Sequence, residues 1–367
     1  MVATAQRFEE LHPGVRIIWE KRSLKDFEEY PVEVLAKQYD FIVLDHPFMG
    51  FAARHGPLLP LDEHLPAAFL EEQQKQQVGL SHDSYFYEGH QWALAIDAAA
   101  PVAFWRQDLL DRHHLEVPRS WNALLELARQ GRVEIPAAPI YSLMNFYTLC
   151  IAHGETPFVS EEKVVSTAAG IAAIQSLQEL INACDPGCWE RNPIHSQDLV
   201  SAANNTEVVY CPLAYGYSNY ARDGYADRVL RFGEPPKFGD TPLRTTLGGT
   251  GLGLSSMRPS AHRETALAYA QYALAPEIQR GLLTHAGGQP GHRLAWLDPL
   301  NNQLTHRYLA DTLPTLDRAF LRPRYLGYTR FQEEGGPVLH DGLRGKRSPE
   351  STLACLDALY RETLATA

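Results

Sequence analysis

The hydrophobic period switches repeatedly within the first forty-five residues, and this narrows the possible folds more than any other feature of the chain. Val2 to Leu11 places apolar residues at helical spacing, and His12-Pro13-Gly14 ends that pattern with turn residues. Val15 to Glu20 alternates like a strand. Lys25 to Lys37 returns to an amphipathic helical period. Asp40 to Asp45 then encloses a short apolar run of the kind buried in a parallel sheet. Helix, strand, helix, strand at such short spacing is the pattern of an α/β layer.

Further along, Gln91 to Ile96 reads as a strand, and Ala98 to Trp105 continues extended before a short helix from Asp108. Ser120 is placed to cap a helix over Asn122 to Gln130. Glu162 to Ala183 has long helical periodicity, and Glu207 to Cys211 reads as a buried strand. Glu264 to Leu283 is helical with a break near Pro276, and Ser348-Pro349-Glu350 opens a helix over Ser351 to Thr363. Glycine clusters at Gly248 to Gly253 and at Gly287 to Gly291, each beside a periodic element, where backbone can approach a ligand or another segment closely. With 367 residues the chain has room for two domains or one large one.

Charge and motif content exclude several function classes. Lys and Arg number 33 against 44 Asp and Glu, a formal net charge of −11, which leaves no basic balance for non-specific nucleic-acid binding. No apolar run reaches the roughly 18–20 residues needed to span a bilayer, and the first residues lack the succession of a signal peptide. Cys150, Cys211 and Cys355 sit in apolar surroundings and read as small core residues. Cys184 and Cys188 bracket a turn, either as thiols or as a short disulfide in an oxidising compartment. Their spacing matches no common zinc pattern, so no metal and no cofactor is expected. The Gly-x-Ser-x-Gly elbow, the Walker loop and His-Glu-x-x-His are missing, and Gly248-Gly249-Thr250-Gly251 lacks the context of a dinucleotide loop. The histidines, His82, His90, His113 and His114 among them, read as surface residues, and Arg344 to Arg347 as a solvated approach to a helix.

Four stretches together resemble one family. They are Phe8 to Ile17 with its His-Pro-Gly turn; Tyr39 to Asp45 followed by Leu59-Pro60-Leu61-Asp62; Ala103 to Leu110 followed by Val117-Pro118-Arg119-Ser120-Trp121; and the Gly248-Gly249 strand with Glu264 to Leu283 and Gly287-Gly288-Gln289-Pro290. Leu343 to Lys346 ahead of Ser348-Pro349-Glu350 fits the same order. In this order they resemble the family 1 extracellular solute-binding proteins of ABC importers, the maltose-binding-protein-like group. The resemblance implies a two-lobed α/β fold of the type II periplasmic-binding-protein kind, with a ligand cleft between lobes joined at a hinge. It places an N-terminal lobe at 1–98 plus 249–298 and a C-terminal lobe at 99–248 plus 299–367. That family normally begins with a strand ahead of the first helix, whereas this sequence starts inside the helix.

A solute cleft needs flat apolar faces and a few hydrogen-bonding groups. Tyr215 falls where similar proteins place a stacking aromatic, and Tyr217 follows it across Gly216. Asp45, His46 and Phe48 follow an apolar strand at its carboxyl end, where ligands of α/β sheets gather; the competing role for Asp45 is to cap the next helix. Asp97, at the expected first crossing between lobes, serves either a ligand or a structural hydrogen bond. Asn145 and Tyr147 follow Pro139-Ile140-Tyr141, a region where similar proteins reach the ligand. Gly249 and Thr250 give close backbone approach and a hydroxyl, and Gln289 is a further candidate.

The expectation is therefore a non-catalytic, monomeric substrate-binding component that captures a sugar, sugar derivative or polyol by hinge closure and delivers it to an ABC transporter permease. It is expected in the periplasm or another extracytoplasmic location, with a cytoplasmic location as the alternative. The competing functional readings are a binding protein for a small carboxylate, and a ligand-modifying enzyme or sensor on the same fold.

Overall fold

A computed structural model describes residues 1–22 and 32–365. The chain runs α1 (Val2–Leu11), β1 (Phe41–Leu44), β2 (Leu94–Ala95), β3 (Pro101–Trp105), α2 (Pro139–Ala152), α3 (Thr167–Asn182), β4 (Tyr210–Tyr215), β5 (Arg231–Gly233), β6 (Gly251–Leu254), α4 (Ser260–Leu274), α5 (Tyr328–Leu343) and α6 (Pro349–Ala365), with shorter helices between them. It divides into two compact units. Unit 1 comprises Met1–Ala98, Gly248–Asn302 and Arg324–Leu326; unit 2 comprises Ala99–Leu247, Gln303–Pro323 and Gly327–Ala367.

Unit 1 is built on a three-stranded sheet in the order β1-β6-β2, both pairings antiparallel. The central strand explains one glycine cluster. In Gly251-Leu252-Gly253-Leu254 the leucines face a core shared with Ala5, Phe8, Tyr269 and Ala270 of α1 and α4. The glycines face the other way: a Cβ at Gly251 would lie 2.5 Å from the Tyr85 ring, and one at Gly253 would lie 3.0 Å from Leu58. Ile42 and Leu44 join that second core with Leu35, Met49, Ala52 and Tyr85. The alternation thus follows the period of two in a strand, with one face able to hold only hydrogen atoms.

Several elements differ from their sequence patterns. Residues 15–20 are extended and alternate in exposure, yet no strand pairs with them among the described residues. Val15, Ile17 and Trp19 pack on the α1/α4 core, so the alternation records burial of one face, which by itself supplies no ladder partner. The Ile17 N–H goes instead to Glu9 Oε1 at 2.7 Å, and Trp19 Nε1 to the Tyr269 hydroxyl at 3.3 Å. Of the helix expected over Lys25 to Lys37, Val32–Gln38 is helical and residues 25–31 lie outside the described residues. The run Gln91 to Ile96 splits between a hairpin (Phe86–Tyr87 with His90–Gln91) and β2, which pairs with β6.

Unit 2 has a second antiparallel sheet, ordered β4-β3-β5, with a bulge in the β3/β4 register between Val102 and Phe104. The strand expected at Glu207 to Cys211 begins at Tyr210, because Asn205 Oδ1 accepts the N–H groups of Glu207 and Val208 and holds them in a turn. The helix expected from Glu162 starts at Thr167: Ser166 caps it by accepting from Ala169, and the Val164 N–H goes to Asp357 Oδ1 at 2.9 Å. Helices α2, α3, α5 and α6 approach through small residues; a Cβ at Gly336 would lie 3.2 Å from the Pro139 backbone, and one at Gly342 would lie 2.2 Å from Thr352 Oγ1. An aromatic cluster of Tyr147, Phe158, Tyr328, Phe331 and Tyr360 meets mostly edge to face.

Below β4, Glu134 is fully buried and holds Arg191 at 2.7 Å and the Ser196 hydroxyl at 3.0 Å. Burial pushes its carboxyl up to about 7 in spite of the guanidinium. Among the described residues Cys184 and Cys188 are free thiols, and Cys355, expected in the core, is only half-buried beside Arg347. Some histidines also depart from a surface reading: His82, His292 and His340 are buried, and burial pushes His82 down to about 4.

Candidate functional site

The candidate residues fall on both units, and each group is built by its own unit's sheet. In unit 1, β1 and β2 both run antiparallel to β6, so they are parallel to each other and their carboxyl ends lie where β6 begins. Asp45 follows β1 and caps the short turn His46–Phe48: its Oδ1 accepts the His46 N–H at 2.8 Å and lies 3.0 Å from that ring's Nδ1. The capping role weighed against ligand contact is therefore present. His46 is wholly buried with its ring edge toward Tyr85, and Phe48 is half-buried against the second core.

Asp97 follows β2. Its half-buried carboxylate accepts the backbone N–H of Thr250. Burial pushes its carboxyl up to about 6 and the nearby Asp45 charge adds to this, while the hydrogen bonds from Thr250 oppose it. Gly249 makes the approach possible. Its φ is +105°, and a Cβ there would lie 3.0 Å from both Asp97 O and Asp97 Oδ1. Gln289 arrives from the second glycine cluster and donates from Nε2 to Ala98 O at 2.7 Å. Unit 1 thus brings Asp45, Asp97, Gly249, Thr250 and Gln289 to one end of its sheet. Tyr85 belongs with them: its hydroxyl lies 3.4 Å from both Leu44 O and Gly249 O. Its only trace in the sequence is the alternation of glycine and leucine in β6, which leaves space for a ring.

In unit 2, Tyr215 ends β4 and its hydroxyl lies 2.9 Å from Thr246 Oγ1. Gly216 is required by packing: a Cβ there would lie 2.8 Å from Val102 and 2.9 Å from the Tyr308 hydroxyl, which donates to Gly216 O at 2.8 Å. The buried Gln197 side chain spans the turn, accepting the Tyr217 N–H at 3.0 Å and donating to Tyr215 O at 3.1 Å. Gln197 and Thr246, with no motif of their own, were not among the residues read from the sequence. Asn145 and Tyr147 lie inside α2 and are buried; the Tyr147 ring meets Phe158 and Phe320 edge to face at 5.2 and 6.4 Å. That burial separates them from Tyr215 and Tyr217, whose rings are half-exposed.

Each unit thus places polar groups and an aromatic at the end of a small sheet. Residues 3–292 match the model of the bacterial extracellular solute-binding proteins, and the chain belongs to that family. The fold is also that of solved solute-binding proteins. Maltose-bound MalE3 of T. maritima is 19% identical with a TM-score of 0.82, covering 99% of this chain and 95% of its own. An ABC transporter solute-binding protein of Thermotoga lettingae TMO bound with α-D-tagatose is 16% identical with a TM-score of 0.83, covering 99% and 95%. One from Agrobacterium radiobacter K84 in complex with ribitol is 16% identical with a TM-score of 0.79, covering 98% and 94%. No curated protein matches the sequence at a significant level. The family is extracellular, which gives an extracytoplasmic location; among the described residues no helix is long and apolar enough to cross a membrane.

Proposed function

We propose that this protein is the solute-capturing component of an ABC importer and that its solute is a sugar or polyol. The observation that carries the reading is the family match over residues 3–292. The ligands named for proteins of the same fold, maltose, ribitol and α-D-tagatose, support the solute class. The chemistry of both residue groups suits it. Carboxylates at Asp45 and Asp97 accept from hydroxyls, and the Tyr215 ring offers a flat face for a pyranose or an extended polyol chain. Unit 1 and unit 2 act as the two ligand-gripping lobes, and capture is coupled to their closing. No bond is made or broken in the bound solute. The protein works as a monomer and passes its load to a membrane permease.

The test is a thermal-shift screen with pentitols, hexitols, mono- and disaccharides, amino acids and small carboxylates, followed by calorimetry on the hits. A rise in melting temperature confined to sugars or polyols, with the compound recovered unchanged, supports the reading. A response confined to carboxylates or amino acids, or recovery of an altered product, overturns it.

A further inference from the structure

The turn Tyr215-Gly216-Tyr217 in unit 2 carries two half-exposed rings on either side of a buried glycine. Gly216 shows which way this alternation points: its Cβ would meet Val102 and the Tyr308 hydroxyl, in the interior. Tyr215 ends β4, and Tyr217 is still extended, with φ −109° and ψ 112°. In extended backbone, residues two apart share a face and are separated by about 6.6 Å. The two tyrosines therefore stand side by side on the face opposite Gly216.

Turns at a surface commonly leave their backbone groups to water. Here side chains take them. Gln197 Nε2 donates to Tyr215 O at 3.1 Å, and Gln197 Oε1 accepts the Tyr217 N–H at 3.0 Å. The Tyr308 hydroxyl donates to Gly216 O at 2.8 Å, and the Tyr220 N–H to Tyr217 O at 3.0 Å. Gln197 Nε2 also donates to Pro193 O at 2.8 Å, so both amide protons and the amide oxygen are engaged. Only one orientation allows this. A flipped amide would set its own N–H against the Tyr217 N–H and its oxygen against Tyr215 O.

Gln197 is itself held in place. It is wholly buried on the helix Pro193–Ser201. Asn192 caps that helix by accepting the His195 N–H at 2.9 Å, the adjacent Ser196 hydroxyl goes to buried Glu134 at 3.0 Å, and Arg106 Nη1 donates to Val200 O at 3.0 Å. A buried amide carries a desolvation cost that an apolar side chain of the same size would not. What the amide adds is a fixed path for the backbone that bears the two rings.

We infer that Gln197 is a positioning residue for solute binding: by holding Tyr215 O and the Tyr217 N–H at once, it sets both tyrosine rings on one face before a solute arrives. This rests on the reading of the protein as a sugar- or polyol-binding component. Rings ordered in advance need no further ordering when a solute stacks on them, which lowers the entropic cost of capture.

Fluorine NMR of the full chain, with a fluorotyrosine placed singly at position 215 or 217, reads ring order without any solute. Calorimetry with the best sugar or polyol then reads binding. Gln197→Met keeps the side-chain volume and removes every bond the amide makes. Both fluorine signals should broaden or split, and affinity should fall about tenfold or more, chiefly through a less favourable entropy. Gln197→Glu divides the two contacts. At about pH 9 its carboxylate still accepts from the Tyr217 N–H and cannot donate to Tyr215 O, so the signal at 215 should broaden and that at 217 should stay narrow. This second variant keeps the test open if Gln197→Met does not fold. Leu356→Ala, a wholly buried site in the α5/α6 packing, is the control for lost stability alone and should leave both signals narrow. Narrow signals in Gln197→Met, equal broadening in Leu356→Ala, or parent-like affinity with disordered rings would each overturn the inference. A screen in which no sugar or polyol binds would instead overturn the functional reading, and the ring signals would still decide whether Gln197 sets the two tyrosines.

Discussion

Asp97 accepts a hydrogen bond from the backbone N–H of Thr250, a residue 153 positions later in the chain. The bond ties the carboxyl end of β2 to the turn that starts β6, and it fixes a partly desolvated carboxylate at the edge of the sheet. A carboxylate held this way is ready to accept from a hydroxyl without first being ordered, which lowers the entropic cost of binding.

Asp97→Asn keeps an oxygen for the Thr250 N–H and removes the charge. Calorimetry with the best sugar or polyol should show affinity weakened about tenfold or more, because bonds to a charged acceptor are the stronger ones. Thermal stability at pH 8 should not fall. Unchanged affinity would take Asp97 out of the site.

Gly249→Ala should damage the same place by a different route. Alanine at a φ of +105° is strained, and its Cβ would press on Asp97 at 3.0 Å. A loss of about 1–3 kcal/mol in denaturant unfolding is expected, together with weaker solute binding. A variant as stable as the parent would show that the turn can rearrange.

The pH dependence of stability has a definite sign. Glu134 is raised from 4.5 to about 7, and Asp97 from 3.8 to about 6. Between the unfolded and folded values, the folded protein holds protons that the unfolded chain has released. The stability linked to these groups is therefore full below about pH 4 and declines as pH rises toward 6 for Asp97 and 7 for Glu134. Melting curves from pH 4.5 to 8 should show the larger decline in the parent and a flatter profile in Glu134→Gln. In that variant Arg191 keeps its other partner, Asp185, at 2.6 Å. Parallel profiles would mean that Glu134 is ionised throughout.

Tyr215 separates stacking from hydrogen bonding. Tyr215→Phe keeps the ring and loses the hydroxyl 2.9 Å from Thr246, so it should bind within a few-fold of the parent. Tyr215→Ala should weaken solute binding about tenfold or more while the melting temperature without ligand changes little, since the ring is half-exposed. Equal affinities for the two variants would rule out a stacking role.

Local period and turn chemistry were legible in the sequence where neighbours in the chain decide the outcome. Ser120, Ser166 and the Ser348-Pro349 start act through contacts a few residues away; Ser120 is legible from its position, whereas the Ser166 cap starts its helix five residues later than the apolar period predicts. Long-range partners decided the rest. The alternation of 15–20 shows which face is buried and says nothing about a ladder, because pairing depends on what lies alongside. Asp45, Asp97, Gly249, Thr250 and Gln289 were readable as polar or glycine residues at the ends of apolar runs, and these five meet at one sheet end. Tyr85, Gln197 and Thr246 were not, since each reaches its place through folding of distant segments. Asn145 and Tyr147 show the converse: polar groups in an apolar run look like site residues until the helix turns them inward.

The brief return of Arg324–Leu326 to unit 1 bears on how the protein is made. Arg324 donates to the carbonyls of Asp83, Ser84 and Phe86 at 2.6–3.1 Å, and its backbone closes over Gly50 so tightly that a Cβ there would fall 2.1 Å from Arg324 O. A ribosome must therefore translate through Leu326 before the earlier unit can acquire its last strap. Until then those carbonyls and the surface around Gly50 stay uncovered on the nascent chain, open to chaperones and proteases. Cutting the message anywhere between the codons for Asn302 and Arg324 should yield a unit 1 that is synthesised almost whole and yet left unlatched.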